Sequence, residues 1–341
     1  MLLKRVKGYK DTGDASLSGA TSGAFLKHAP WINDVMQALP ESVARLLHPA
    51  MASFVAQKRN SLAQVLKIIQ GENEKWRDRE YPTIFHSVLN SKLPDAEKSM
   101  ARLSNDAQML VMAGTLTTVS TLELITFWLL SDPATLRKLK DELSAAIPNP
   151  SDVGSIPLPT LEALPYLTAV IKEGLRLSYG VSCRLARIDP DHAIVFTDKD
   201  TGKEWVIPAG TPVGSTSVLI HHNEDIFPES QKFSPERWLD GKGRELERYL
   251  VSFCVGSRKC LGVNLAYAEL YLGLSAIWRL WGSGGVEGVR ASDDLGVMSL
   301  WDESPANHFV LRWNSSRPTP SAFVFVLTSC NRWKGFTVSC C

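Results

Sequence analysis

The sequence predicts a mainly α architecture with small β-sheets. Three observations carry it: apolar residues recur every three or four positions over long stretches, one short segment alternates like a hairpin, and Pro- and Gly-rich connections separate them. Residues 11–23 are small and polar and read as loop. From Pro40 to about Glu74, Val43, Leu46, Leu47, Met51, Phe54 and Val55 recur at helical spacing. A short helix carries Ile84, Phe85, Val88 and Leu89. The longest and most apolar helix is expected from Ser104, as N-cap, to Ser131, stopped by Asp132-Pro133. Gly114, Thr115, Thr117 and Thr118 sit in its middle, where Gly costs about 1 kcal/mol against Ala. An amphipathic helix with Leu136, Leu139 and Leu143 follows, then a Pro-rich loop at 147–159 and a helix over 160–178 capped by Thr160. Residues 193–207 alternate around Asp198-Lys199-Asp200-Thr201-Gly202 and predict a β-hairpin. A mostly loop stretch runs from Pro208 to Cys254, and the last clear helix begins near Cys260 and continues through Ile277.

The 341 residues carry 37 Lys+Arg against 36 Asp+Glu, a formal charge of +1, which excludes a basic footprint for nucleic acid and an acidic tail. At 44% hydrophobic the chain can build a sizeable core, and length alone allows about two domains. The 6 Cys show no CxxC pair, so no zinc ribbon or thioredoxin-like site is indicated and reduced thiols are expected. The N-terminus is too short in apolar residues for a signal peptide, and the longest apolar run, Leu122 to Leu130, is interrupted by Glu123 and Thr126. No membrane-spanning segment is expected.

The strongest local signal is Phe253-Cys254-Val255-Gly256-Ser257-Arg258-Lys259-Cys260-Leu261-Gly262. Two glycines let the backbone approach something flat and bulky, and a helix start favours thiolate over thiol. Arg258 supplies a fixed cation for an acidic group on the same ligand. A backbone-cradled thiolate flanked by Arg is what haem iron requires on its proximal side, although a lone buried Cys at a helix start has the same local pattern. Glu173-Gly174-Leu175-Arg176 places an acid and a base on one helix face, a spacing that also describes an ordinary surface ion pair. His221-His222 reads as a surface loop, because adjacent His residues on regular structure do not face the same way. The glycine-rich Gly282 to Gly288 follows a helix rather than a strand and is not a dinucleotide loop.

Taken together, these residues resemble the cytochrome P450 family of haem-thiolate monooxygenases, whose Phe-x-x-Gly-x-Arg-x-Cys-x-Gly signature is matched from Phe253 to Gly262. The resemblance implies Cys260 as the axial ligand of haem b iron, Arg258 as a propionate contact, and Phe253 and Gly256 as parts of the cofactor cradle. It implies a second propionate contact from Arg187, with Arg184 as competing candidate. It pairs Glu173 and Arg176 with Arg237, from Phe233-Ser234-Pro235-Glu236-Arg237-Trp238, as a structural triad. Ala113-Gly114-Thr115-Leu116-Thr117-Thr118 is similar to the family's oxygen-binding motif: Gly114 leaves room over the iron and Thr117 is the candidate for proton delivery. A mid-helix Thr also commonly bonds its own helix backbone. Leu116 stands where members often carry Asp or Glu, which removes an acid from the relay there, and Glu123 lies further along.

The resemblance runs from about Pro30 to about Trp313, with its closest detail in fungal members. It implies that residues 1–317 are the C-terminal two-thirds of a single haem-thiolate domain, incomplete at the N-terminus, with 318–341 an atypical tail. The activity it implies inserts one oxygen atom from O2 into an apolar small molecule in secondary metabolism, with electrons from NADPH through a reductase partner. The alternative is a non-catalytic truncated relic that binds haem poorly. Members are anchored in the endoplasmic-reticulum membrane; without the anchor, a cytoplasmic or peripheral location is expected.

Overall fold

The structure is a computed structural model that describes residues 49–72, 83–182, 185–198, 200–239, 241–284, 287–302, 308–315, 324–330 and 334–340, with a few single positions before 49 and side chains between 56 and 299. The chain forms two compact units, Met1–Val119 and Ser120–Cys341.

In the first unit, α1 (Pro49–Ile69) and α2 (Ile84–Leu89) precede the opening turns of α3 (Met100–Ser131). Val65, Leu103 and Ala107 are buried there, with Phe85, Val88 and Leu89 packed against them. The cap of α3 differs from expectation. Ser99 Oγ accepts from Arg102 N at 3.4 Å, whereas Ser104 is buried inside the helix. A Ser preceding an apolar run satisfies the same sequence rule at either position, and packing of Leu103 extends the helix past Ser104.

The second unit opens with the later turns of α3, then α4 (Pro133–Ala146) and α6 (Pro165–Ser178), with short α5 (Leu158–Glu162) between the last two. Asp132 ends α3 and caps α4, accepting from Ala134 N at 3.0 Å, with Pro133 in the first turn where its missing N–H costs nothing. The expected helix over 160–178 is two helices, because Pro165 cannot continue the first, and Thr160 lies within α5 rather than capping. The N-terminus of α6 has no local cap. Glu142 of α4 supplies one instead, its two carboxylate oxygens accepting from Tyr166 N and Leu167 N at 2.8 Å each.

Leu124, Ile125, Leu129, Leu136, Leu139, Leu143, Val170 and Ile171 make the core of this unit with Leu270, Leu274 and Trp278 of α9 (Val263–Leu280). By length and composition alone α3 is apolar enough to cross a membrane, with 33% of its apolar window buried; Ile125 and Leu129 are at 0% exposure in the core, while Met109, Leu110 and Val111 are exposed. At Gly174 α6 crosses α3 so closely that an added Cβ would lie 2.2 Å from Ile125 Cγ1.

The hairpin forms as expected: β1 (Ile194–Thr197) pairs antiparallel with β2 (Glu204–Ile207), Ile194 opposite Ile207. The stretch after it holds α7 (Ser217–His221), a 3₁₀ turn at Pro235–Trp238 and α8 (Lys242–Leu246). A five-stranded sheet follows: β3 (Trp281–Ser283), β4 (Gly296–Asp302), β5 (His308–Ser315), β6 (Val324–Cys330) and β7 (Lys334–Cys340), in sequence order. The tail therefore contributes two paired strands.

Buried Lys140 fastens α4 to the end of α9. Its ammonium donates to the carbonyls of Trp278 and Trp281 at 2.9 Å each and to Asp294 Oδ1 at 2.8 Å. All three donors are used, and the cation sits at the negative end of the α9 dipole.

Candidate functional site

At the base of the site lies an ion network whose central pair is fully buried. Three residues apart on α6, Glu173 and Arg176 form a two-pronged pair, Arg176 Nε to Glu173 Oε2 at 3.0 Å and Nη2 to Oε1 at 2.8 Å, both side chains at 0% exposure. The remaining guanidinium hydrogens go to the carbonyls of His221 (2.9 Å), Ser230 (2.7 Å) and Lys232 (3.1 Å). Every N–H of Arg176 is thus partnered, and its face stacks on the Phe227 ring at 5.3 Å. Glu173 also accepts from Arg237 Nε at 3.0 Å and Ser234 N at 3.0 Å. The structure thereby brings Glu173, Arg176 and Arg237 together. It adds Trp238, whose indole N–H donates to Glu173 Oε2 at 2.8 Å. Sequence reasoning missed that role, although Trp238 stands beside Arg237 and a buried indole needs an acceptor.

His221, expected on a surface loop, is 1% exposed in α7, and burial pushes its pKa down to about 4. Its carbonyl serves Arg176, while its ring Nε2 accepts from Val251 N at 3.1 Å. Only the neighbouring His222 keeps a half-exposed setting, bonded to Tyr179 and to Ser230 Oγ. A pair of adjacent His residues thus splits between core and rim.

The cysteine loop hangs from this network. Ser252 Oγ donates to the carbonyl of Leu175 on α6 at 2.8 Å, Cys254 N to Val251 O at 2.9 Å, and Cys260 N to Phe253 O at 2.9 Å. Phe253 packs its ring against Tyr267 of α9, with centroids 5.4 Å apart. The turn requires left-handed backbone at Gly256 (φ 81°) and at Cys254 (φ 59°), the first natural for Gly and the second costly for Cys. Helix α9 starts at Val263 with Gly262 as N-cap, so Cys260 precedes it rather than beginning it.

Cys260 is a free, exposed thiol. Around it Leu261 is 95% exposed, Val255 68% and Leu265 57%. Among the described residues, nothing beyond the adjacent chain lies within 4 Å of a Cβ added at Gly256 or Gly262. An outward thiol among uncovered aliphatic side chains, on a loop pinned to buried charges, fits a flat apolar group with a thiophilic metal at its centre. Arg258 is exposed on the same loop. Arg187 is exposed as well, its Nη1 donating to the carbonyls of Leu185 and Ala186 at 3.1 Å each, while its backbone bridges to Val213. Arg184 lies outside the described residues.

Gly114 and Thr117 fall in the first unit. Thr117 is exposed and donates its Oγ1 hydrogen to Ala113 O at 2.7 Å, and among the described residues a Cβ at Gly114 would meet nothing within 4 Å. On the later part of α3, Glu123 is buried and its Oε2 has no hydrogen-bond partner among the described residues. Desolvation pushes its pKa from 4.5 to about 7. Between those two values the folded chain holds a proton that the unfolded chain has released, so stability falls as pH rises through that window and then levels off. The penalty at pH 8 is about 3 kcal/mol at most. Glu123→Gln is expected to melt higher than the parent at pH 8 and at the same temperature at pH 4, which paired thermal melts will check.

A sequence profile of the Cytochrome P450 family matches residues 21–280, and the chain belongs to that family. It is 47% identical over 294 residues to the cytochrome P450 monooxygenase tpcC of Cochliobolus heterostrophus, covering 86% of this chain and 55% of that protein. To the cytochrome P450 monooxygenase astB of Talaromyces wortmannii it is 43% identical over 271 residues, 78% of this chain and 53% of the other. To the N-acetyltryptophan 6-hydroxylase ivoC of Emericella nidulans it is 37% identical over 286 residues, 83% and 54% respectively. The chain therefore spans about half the length of the curated relatives it matches. A crystal structure of a cytochrome P450 shares the fold, with a TM-score of 0.58 at 20% identity over 80% of this chain and 57% of that one. Membership implies a haem cofactor, and the site described above fits one.

Proposed function

We propose that this chain carries the thiolate side of a haem monooxygenase of fungal secondary metabolism. The overall reaction joins an apolar C–H substrate, O2, two electrons and two protons to give the hydroxylated product and water. NADPH, through a reductase partner, supplies the electrons. The observation that carries this reading is the exposed Cys260 thiol among uncovered Leu261, Val255 and Leu265, on a loop tied to a buried ion network.

Bound haem supplies oxygen activation, and thiolate ligation favours O–O cleavage. The chain's own residues do the rest. Cys260 would hold the haem iron through its thiolate sulfur. Gly256 and Gly262 keep the backbone low enough for a planar group to settle. Phe253, packed on Tyr267, holds the loop against α9. Arg258 and Arg187 offer guanidinium donors for propionates. Thr117 holds a proton at Oγ1, at present spent on Ala113 O, and Gly114 leaves open space beside it. Glu173, Arg176 and Arg237 act structurally, as the anchor of the cysteine loop. The names of the relatives point to the substrate class only in part, since the Emericella nidulans protein acts on N-acetyltryptophan.

The test is to load the purified chain with hemin, reduce it, and record the carbon monoxide difference spectrum beside Cys260→Ser. A thiolate-ligated band is expected in the parent and lost in the variant. A parent without that band supports the non-catalytic alternative.

A further inference from the structure

We propose that His221 is a positioning residue for the cysteine loop, transmitting the alignment of the buried Glu173–Arg176 pair to the backbone that carries Cys260. The proposal rests on the haem-thiolate reading for what the loop is aligned to do.

Backbone and ring of His221 face two different parts of the site. Its carbonyl accepts from Arg176 Nη1 at 2.9 Å, and its Nε2 accepts from Val251 N at 3.1 Å. The ring has little freedom to drift. It is 1% exposed and stands edge-on to Phe227, 6.1 Å between centroids at 89°, and Phe227 in turn lies under the Arg176 guanidinium. Val251 is where the loop begins. Its carbonyl takes Cys254 N at 2.9 Å, and two residues later Phe253 O takes Cys260 N at 2.9 Å. A continuous chain of short contacts therefore runs from Arg176 through His221, Val251 and Phe253 to the amide of Cys260.

Chemistry sets what can stand at this position. A backbone N–H removed from water needs an acceptor. Imidazole accepts at Nε2 only when neutral with its hydrogen on Nδ1. Gln carries a carbonyl oxygen at about the same reach, whereas Phe fills the space and accepts nothing. Ser252, bonded to Leu175 O, fixes the loop to α6 independently, so loss of the His221 contact frees the loop entrance without releasing the whole segment.

Amide hydrogen exchange on the haem-free chain tests this. His221→Phe is expected to speed exchange at Val251 and Cys254 by about tenfold, the worth of one hydrogen bond, while the 165–178 amides keep their parental rates. His221→Gln is expected to restore protection. Parental exchange at Val251 in His221→Phe, equal acceleration along 165–178, or a folded His221→Gln that stays unprotected would each overturn the proposal. Should His221→Phe fail to fold, the imidazole ¹⁵N spectrum of the parent decides: a hydrogen on Nδ1 is expected, and one on Nε2 overturns it. After hemin loading, the thiolate fraction of the carbon monoxide spectrum should fall in His221→Phe and recover in His221→Gln. A chain that takes no haem at all sinks the haem reading alone, because exchange is read without it.

Discussion

Glu173→Ala is expected to leave the chain largely unfolded at 25 °C. Among the described residues Glu173 is the one acid paired with Arg176 and Arg237, and it also accepts from Ser234 N and the Trp238 indole. Removing it strands a guanidinium at 0% exposure and unpairs a second beside it. Breaking one buried pair costs about 3–5 kcal/mol, and the orphaned indole and amide add about 1–3 kcal/mol each. That sum rivals the entire stability of an ordinary domain, about 5–15 kcal/mol. Arg237→Ala should cost much less, since Arg237 keeps a 10% exposed edge and leaves the Glu173–Arg176 prongs intact. Urea titrations followed by circular dichroism should therefore rank Glu173→Ala well below Arg237→Ala. Equal midpoints would show that the network is not the anchor described above.

Lys140→Met comes second, with an expected loss of about 3–5 kcal/mol. Methionine fills the space of the lysine stem but leaves Asp294 buried without its cation and the Trp278 and Trp281 carbonyls without donors. The double variant Lys140→Met/Asp294→Leu should recover part of that loss, because the stranded charge goes with its partner. Asp294 Oδ2 also accepts from Ala291 N at 2.8 Å, so recovery is partial. A double-mutant cycle measured by urea titration gives the coupling directly.

How much could be read from the chain depends on how local the cause is. The amphipathic stripe of Leu136, Leu139 and Leu143 and the Asp198 to Gly202 turn act within a few residues, and the structure places helix and hairpin where expected. Helix ends were harder. Ser104 and Thr160 look like caps, yet Ser99 caps α3 and Pro165 divides the second segment. The cap of α6 comes from Glu142, more than twenty residues away, which no local pattern records. At the site, Glu173, Arg176, Arg237 and the Cys260 loop were legible because a fixed motif names them. Trp238 and His221 were not, since their meaning lies in burial: one indole must find an acceptor, and one of two adjacent imidazoles turns inward.

The lysine clamp at the end of α9 also bears on the order in which the chain folds. Its contacts join residues 138 and 141 positions apart, and closing a loop of that length costs about 4 kcal/mol of chain entropy before any contact repays it. The Glu173–Arg176 prongs, three positions apart, carry no such cost. By that cost, local pairing on α6 is expected early in folding and the clamp late, once α4 and α9 have met. A weakened clamp speeds unfolding and leaves the folding rate nearly unchanged. Lys140 is thus a determinant of how long the folded unit lasts rather than of how quickly it forms.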